Sequence, residues 1–542
     1  VLVCSVAAIC LAAFPACSAT IDNWNGGTGN WNTGSFWSQG SPPASGQDAT
    51  IATSGGDDVT LDSSAGNANS LTLGNSSGSE SNLTVTSQSL TLGGDLTVNH
   101  VGYMQLGGGS LVTASGATNS GYLYVGDCGS GSGCSGTKLH TTGDVTNSGN
   151  LYVENGGTLT TDGTFTNSAG SYFEVGVYGA ANANVNALSF AGGTVRIDQG
   201  STLNITGGGS GVTDVASNAF LEQDGTFEVS GSTNALANLA TVEGTLELGD
   251  QQTTTIASLT NSGIVDVGDC GSGSGCSGTT LHTTGDVTNS GNLYVENGGT
   301  LTTDGTFTNA ASGHFEVGAF GAAASTIHAL NNSGSVQVDA SSTLSASNFT
   351  NNPGATVTLE AASGGHPGGV LDPLTYTSGG VTTVGAGSTL DVGSGTPGVT
   401  GYDQTSDGTL QEEIFGLPSA NCTGSAGDCG IINVTGDVTL SGTLDPILEN
   451  GFDPMNGDSF LFMTFTGALN GTFSSIADQI FGNNTQQWNV TYGNGFVELT
   501  ANAYTPAPPS AVPEPRSILL FGLGLIALGV GTRLRKRNRR SI

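Results

Sequence analysis

"VGDCGSGSGCSGTKLHTTGDVTNSGNLYVENGGTLTTDGTFTN" occupies residues 125–167, and residues 267–309 repeat it with one change, Lys138 to Thr280. A repeat this close has to be settled before any local reading, because stacked repeats bury what a single repeat cannot. Within it the phrase "NSG" followed by an alternating apolar triplet recurs: "NSGYLYV" from Asn119, "NSGNLYV" from Asn147 and Asn289, "NSGIVDV" from Asn261, and "NSGSVQV" from Asn332. Degenerate copies start at Asn167, Asn309 and Asn352, so the starts are separated by 20, 23 or 28 residues. Both 28-residue intervals contain a cysteine pair, which reads as a tied loop of eight extra residues inserted into a 20-residue coil.

A coil of that length, with short period-2 strands around Leu151, Val153 and Leu159, predicts an all-β fold. The expected form is a β-solenoid of the right-handed parallel β-helix type, about 20 residues per coil, whose turns stack over one apolar column. Asn and Gly supply the left-handed backbone that tight corners need. Glycine is plentiful, at 89 of 542 residues, yet 36% of the chain is hydrophobic and regularly placed, which favours folding over a disordered Gly/Ser-rich polymer.

Charge divides the chain. Of nine Lys and Arg, only Lys138 and Arg196 precede residue 516, while all 43 acidic residues do. Residues 1–515 therefore carry −41 and the last 27 carry +7. A body so poor in cations cannot neutralise phosphates, so nucleic acid is excluded as a partner.

The start, "VLVCSVAAICLAAFPACSAT", reads as a secretory signal peptide over 1–19, cleaved after Ala19. Acylation at Cys17 fits less well because of Phe14 and Pro15. Six cysteines follow as close pairs, Cys128 with Cys134, Cys270 with Cys276 and Cys422 with Cys429, and in an exported chain these are disulfide candidates. Zinc would need four ligands; His140 and His282 each follow a pair by six residues, too few for a site.

Around these features the expected organisation is an N-terminal cap and first coils over 20–118, solenoid repeats over 119–430, a C-terminal β module over 431–502, a Pro-rich linker over 503–515, and a transmembrane helix with basic tail over 516–542. In the cap, Trp24, Trp31, Phe36 and Trp37 come together, and a solenoid's need for a cap explains them better than sugar stacking, although Trp24, Trp31 and Trp37 remain candidates for glycan stacking.

At the far end, Ile518 to Thr532 are uncharged and span about 22 Å as a helix, short for a bilayer core of about 30 Å. Arg533, Arg535, Lys536, Arg537, Arg539 and Arg540 follow and hold that end in the cytoplasm, placing the body outside. Pro513-Glu514-Pro515, an apolar run and an Arg-rich end resemble the PEP-CTERM sorting signal of Gram-negative exoproteins. The resemblance implies recognition by an exosortase, a membrane protease-transpeptidase, an inner-membrane intermediate, and transfer to the cell surface or extracellular matrix. The "NSG" coils and "GFDPMNGDSFLFMTFTGALNGTF" resemble the β-helical passengers of autotransporter adhesins, which implies architecture and, more weakly, adhesion.

No catalytic residue is assigned. A lyase needs a base and cations that the body lacks, and Lys138 has threonine at its twin position. A glycosidase needs only two carboxylates, but Asp162, Asp224, Asp304 and Asp407 each precede Gly, where a turn explains them. The expected role is structural or adhesive, with an extracellular polysaccharide as a further partner; the alternatives are a carbohydrate-active hydrolase or a glycan-binding module. No cofactor or metal is assigned, and calcium, which so many carboxylates could attract, has no motif here.

Overall fold

The computed structural model describes residues 19–128, 134–190, 192–231, 233–269, 278–393, 400–416 and 428–506. These residues are strands and turns, with one 3-10 turn at Gly34–Phe36 as the helical element among them. They stack into a β-solenoid.

Each coil gives one strand to a long parallel ladder. Tyr122–Val125 pairs with Asn150–Val153, which pairs with Tyr172–Val175, then Gly193–Ile197, and so on through nineteen strands. The ladder is linear: Gly27–Asn30 pairs only onward and Ser475–Ile476 only backward. The rest of the coil runs in one of two further sheets, one for the earlier coils and one for the later, as two short strands (Ser89–Leu92, Leu96–Val98) or as one long bent strand such as Thr158–Asn167, with its register shift between Thr161 and Thr164.

Period-2 alternation decides which side chains go in. Leu83, Met104, Leu123, Leu151, Phe173, Val195 and Leu221 lie in register, and all are essentially fully buried. Each contributes roughly 1.5–3 kcal/mol by leaving water, so the column holds the stack together. At the corner after each copy of "LYVE", Asn155 and Asn297 adopt φ of 49°, a left-handed turn that Asn tolerates and that Gly156 and Gly298 continue.

The Asn of "NSG" does something else. Asn119, Asn147 and Asn167 are buried, and each side-chain amide donates to the Oδ1 of the next, at 2.8 and 2.9 Å. A second ladder, Asn261, Asn289, Asn309, Asn332 and Asn351, does the same at 2.8 to 3.0 Å. The second amide proton goes to a backbone carbonyl, that of Asn150 for Asn119 and that of His314 for Asn289. An asparagine repeated once per coil thus satisfies its own copies, which is how a polar side chain sits in the interior without penalty.

At the N-terminal end Trp24, Trp31 and Trp37 fill the interior of the first coils, with ring centroids about 5 Å apart. Parallel pairing continues past residue 431, where Ile431–Thr435 and Thr443–Leu448 each pair with the coil before. Pairing turns antiparallel once among the coils, where Thr226–Val229 turns back onto Thr233–Asn234, and parallel stacking ends at Ser459–Phe465, which meets Phe496–Ala503 antiparallel, itself paired with Gln486–Gly493 around buried Trp488. The expected transmembrane helix lies outside the described residues; among those described, no helix is long and apolar enough to cross a membrane.

Candidate ligand-binding face

Outward positions of the long ladder repeat once per coil, so whatever stands there forms a column about 4.8 Å per step. In register the column reads Tyr124, Tyr152, Glu174, Arg196, Glu222, Glu247, Asp266, Tyr294, Glu316 and Gln337. It is an aromatic run followed by an acidic one.

The aromatic run holds Tyr103, Tyr122, Tyr124, Tyr152 and Tyr172, with successive ring centroids 4.8 to 5.6 Å apart. Beside it lies a hollow of about 410 Å³ lined by Thr84, Gln105, Gly107 and Asp127, in which Gln105 donates to Asp127 at 2.7 Å. The second copy of the repeat lacks this run: Asp266 stands in place of Tyr124 and His314 in place of Tyr172. The coil therefore does not require the tyrosines.

In the acidic run, burial first and neighbouring carboxylates second push Glu247 and Asp266 up to about 8. The same causes raise Glu154, Asp224 and Glu296 to about 7. Arg196 stands between two carboxylates, 2.7 Å from Glu222 and 3.9 Å from Glu174. At the other end His314 is 2.7 Å from Glu316, whose carboxyl that contact holds below its ordinary range.

The residues singled out from sequence fall elsewhere. Trp24, Trp31 and Trp37 are at most 2% exposed, so their rings cannot stack on a sugar. Trp37 instead donates its indole N–H to the Trp31 carbonyl at 2.7 Å. Removing Trp31 should cost roughly 3–5 kcal/mol through the cavity it leaves; a denaturant midpoint unchanged by Trp31→Ala would refute that.

Cys128 and Cys134 are bonded, with Cα atoms 5.7 Å apart, and Cys429 is also in a disulfide. Cys270, Cys276 and Cys422 lie outside the described residues, as do Pro513, Glu514, Pro515 and the basic tail. His140 and His282 approach Asp162 and Asp304, at 3.1 and 3.0 Å, rather than a cysteine pair. Among the described residues no three His, Cys, Asp or Glu converge on a metal position.

Sequence reasoning missed the outward column. Its signal was the polar or aromatic letter inside "YLYV", "NLYV", "YFEV", "TVRI", "TLEL" and "IVDV", which becomes a column only once the register is known.

Residues 511–536 match the family model of the PEP-CTERM protein-sorting motif. The chain carries a PEP-CTERM sorting motif. That motif implies export, processing by an exosortase and sorting to the cell surface. No curated protein matches the chain. Among solved structures, a TibC-catalysed, hyper-glycosylated fragment of TibA matches 77% of this chain and 98% of its own at 15% identity and a TM-score of 0.21, too loose a superposition to draw on.

Proposed function

We propose that this chain is a non-catalytic surface or extracellular-matrix protein, structural or adhesive, delivered through its PEP-CTERM motif by an exosortase that acts at Pro513-Glu514-Pro515. The observation that carries the reading is the motif at residues 511–536, after a body whose described residues are mostly stacked β-solenoid coils. The Pro-rich composition before the motif is that of a spacer, which suits access by a membrane enzyme. The basic tail holds the other side in the cytoplasm while the body stands outside. Oxidised cysteine pairs suit that compartment.

The test is the C-terminal peptide in the native host, read by mass spectrometry after cell fractionation. A mature chain ending near Pro515 in the surface or matrix fraction is the expected result, and alanine at 513–515 should abolish it. Arg540 retained on an inner-membrane protein would overturn the sorting step. Release of reducing ends from the host's own polysaccharide by the purified protein would overturn the non-catalytic role.

A further inference from the structure

The coil that follows each copy of the repeat is continued differently in the two halves of the rod. After the second copy, residues 329–332 pair backward with 306–309 and forward with 348–351. Their equivalents after the first copy, 187–190, pair backward with 164–167 and, among the described residues, have no strand ahead of them. Phe190 stands where the second copy has Asn332, so the asparagine ladder stops at Asn167, whose amide goes to the Gly192 carbonyl at 3.3 Å in place of a following Asn. The ladder resumes at Asn261, with Val242 in register before it. Leu188 and Phe190 are half-buried, whereas Phe165 behind Leu188 and Leu330, its equivalent, are fully buried.

A little further on the other arm of the coil breaks. Thr226–Val229 turns back onto Thr233–Asn234, and Thr253–Ile256, one coil on, pairs ahead with Thr280–Thr283. The Asn234 amide bridges the gap with long bonds, 3.4 Å to the Thr253 carbonyl and 3.3 Å to Thr254 Oγ1. Parallel pairing across this step is reduced to 220–223 with Thr245–Leu248 and to Thr241–Val242 with 260–261. An unbroken step, from Asn292–Val295 to His314–Val317, is also paired through 300–303 and 306–309. What fills the broken step is apolar: Ala235, Leu236 and Leu239 are buried there.

In a stack whose coils touch only their neighbours, the step with least pairing opens first and isolates what lies on either side. We propose that the stretch between Ile205 and Thr241 is a joint at which the rod opens first, leaving blocks that hold as separate cooperative units. Each block has its own asparagine ladder and its own copy of the duplicated segment. The repeat architecture does not impose the break, because the second copy runs on without one. Under tension along its length such a rod yields at one place and keeps both blocks folded. The inference is independent of how the chain is sorted and of what it binds.

The test is hydrogen exchange of the full chain in sub-denaturing urea, read by mass spectrometry, with thermolysin cleavage alongside. Amides at 226–229 and 253–256 should exchange at least tenfold faster than those at 300–309. The first cut should fall between Ile205 and Thr241 and leave two fragments that resist further cleavage. Leu236→Ala, which removes part of the apolar filling, should speed that cut at least tenfold and leave exchange at 300–309 unchanged. Equal protection at 226–229, 253–256 and 300–309, a first cut within 259–351, or a Leu236→Ala chain whose exchange at 300–309 rises in step with that at the joint would each overturn the proposal. The parent chain decides the matter alone if that variant does not accumulate.

Discussion

Asn289→Asp is expected to break the stack at its middle. Asn289 is fully buried, donates to Asn309 Oδ1 and the His314 carbonyl at 2.9 Å each, and accepts from Asn261 at 2.8 Å. Aspartate keeps the acceptor and turns the donor end into a second oxygen, aimed at two acceptors. Both lose their proton and a charge is buried with one partner, a cost of about 3–5 kcal/mol. Since each coil touches only its neighbours, the damage starts locally: hydrogen exchange should accelerate first in the coils at 259–317. Asn289→Leu, which removes the charge problem and leaves the orphaned acceptors, should cost less than aspartate. A urea midpoint for Asn289→Asp within error of the parent would show that the ladder contributes nothing.

The second large effect is on pH. Glu247 and Asp266 are raised to about 8, and Glu154, Glu174, Asp224, Glu296 and Asp339 to about 7, against ordinary values of 4.5 for Glu and 3.8 for Asp. A carboxyl whose folded pKa lies above its unfolded one binds more protons in the folded chain across that interval. Its stabilising contribution is therefore complete below about pH 4 and is lost as pH rises through 7 to 8. Asp224, Glu247 and Asp266 are partly exposed, and all seven share one crowded face and titrate against one another, so screening and coupling reduce the sum to roughly 3–5 kcal/mol, or a fall in thermal midpoint of about 10 °C between pH 5 and pH 9. Glu316, held low by His314, works in the opposite sense in acid. Salt should narrow the difference by screening the column. A midpoint that climbs between pH 5 and pH 9 would contradict the account.

Much of this fold was legible from "NSG" and the triplet after it. The alternation of Leu151 and Val153 put the right residues inside, and the spacing of 20 gave the coil. The asparagines were read as corner formers, which is right for Asn155 and Asn297 and misses Asn119, Asn147 and Asn289. A corner needs only local backbone, but a ladder needs to know which residue of the next coil stands opposite, and the varying intervals of 20, 23 and 28 hide that. The same missing register concealed the face: Glu174, Glu222, Glu247 and Asp266 are ordinary scattered acids in one dimension. The indoles were read with sugar stacking as one option because aromatic clusters look alike in sequence whether a coil is packed above them or not.

The duplicated segment carries a consequence for the length of the molecule across generations. Its two copies begin 142 residues apart, and both place "VGD" at the end of a strand in the same ladder. Recombination between the two stretches of coding sequence adds or removes six whole coils, close to 29 Å. The junction falls inside text that differs at one residue, so frame, strand register and the buried column all continue across it. A lineage bearing this repeat can lengthen or shorten the rod in one genetic step.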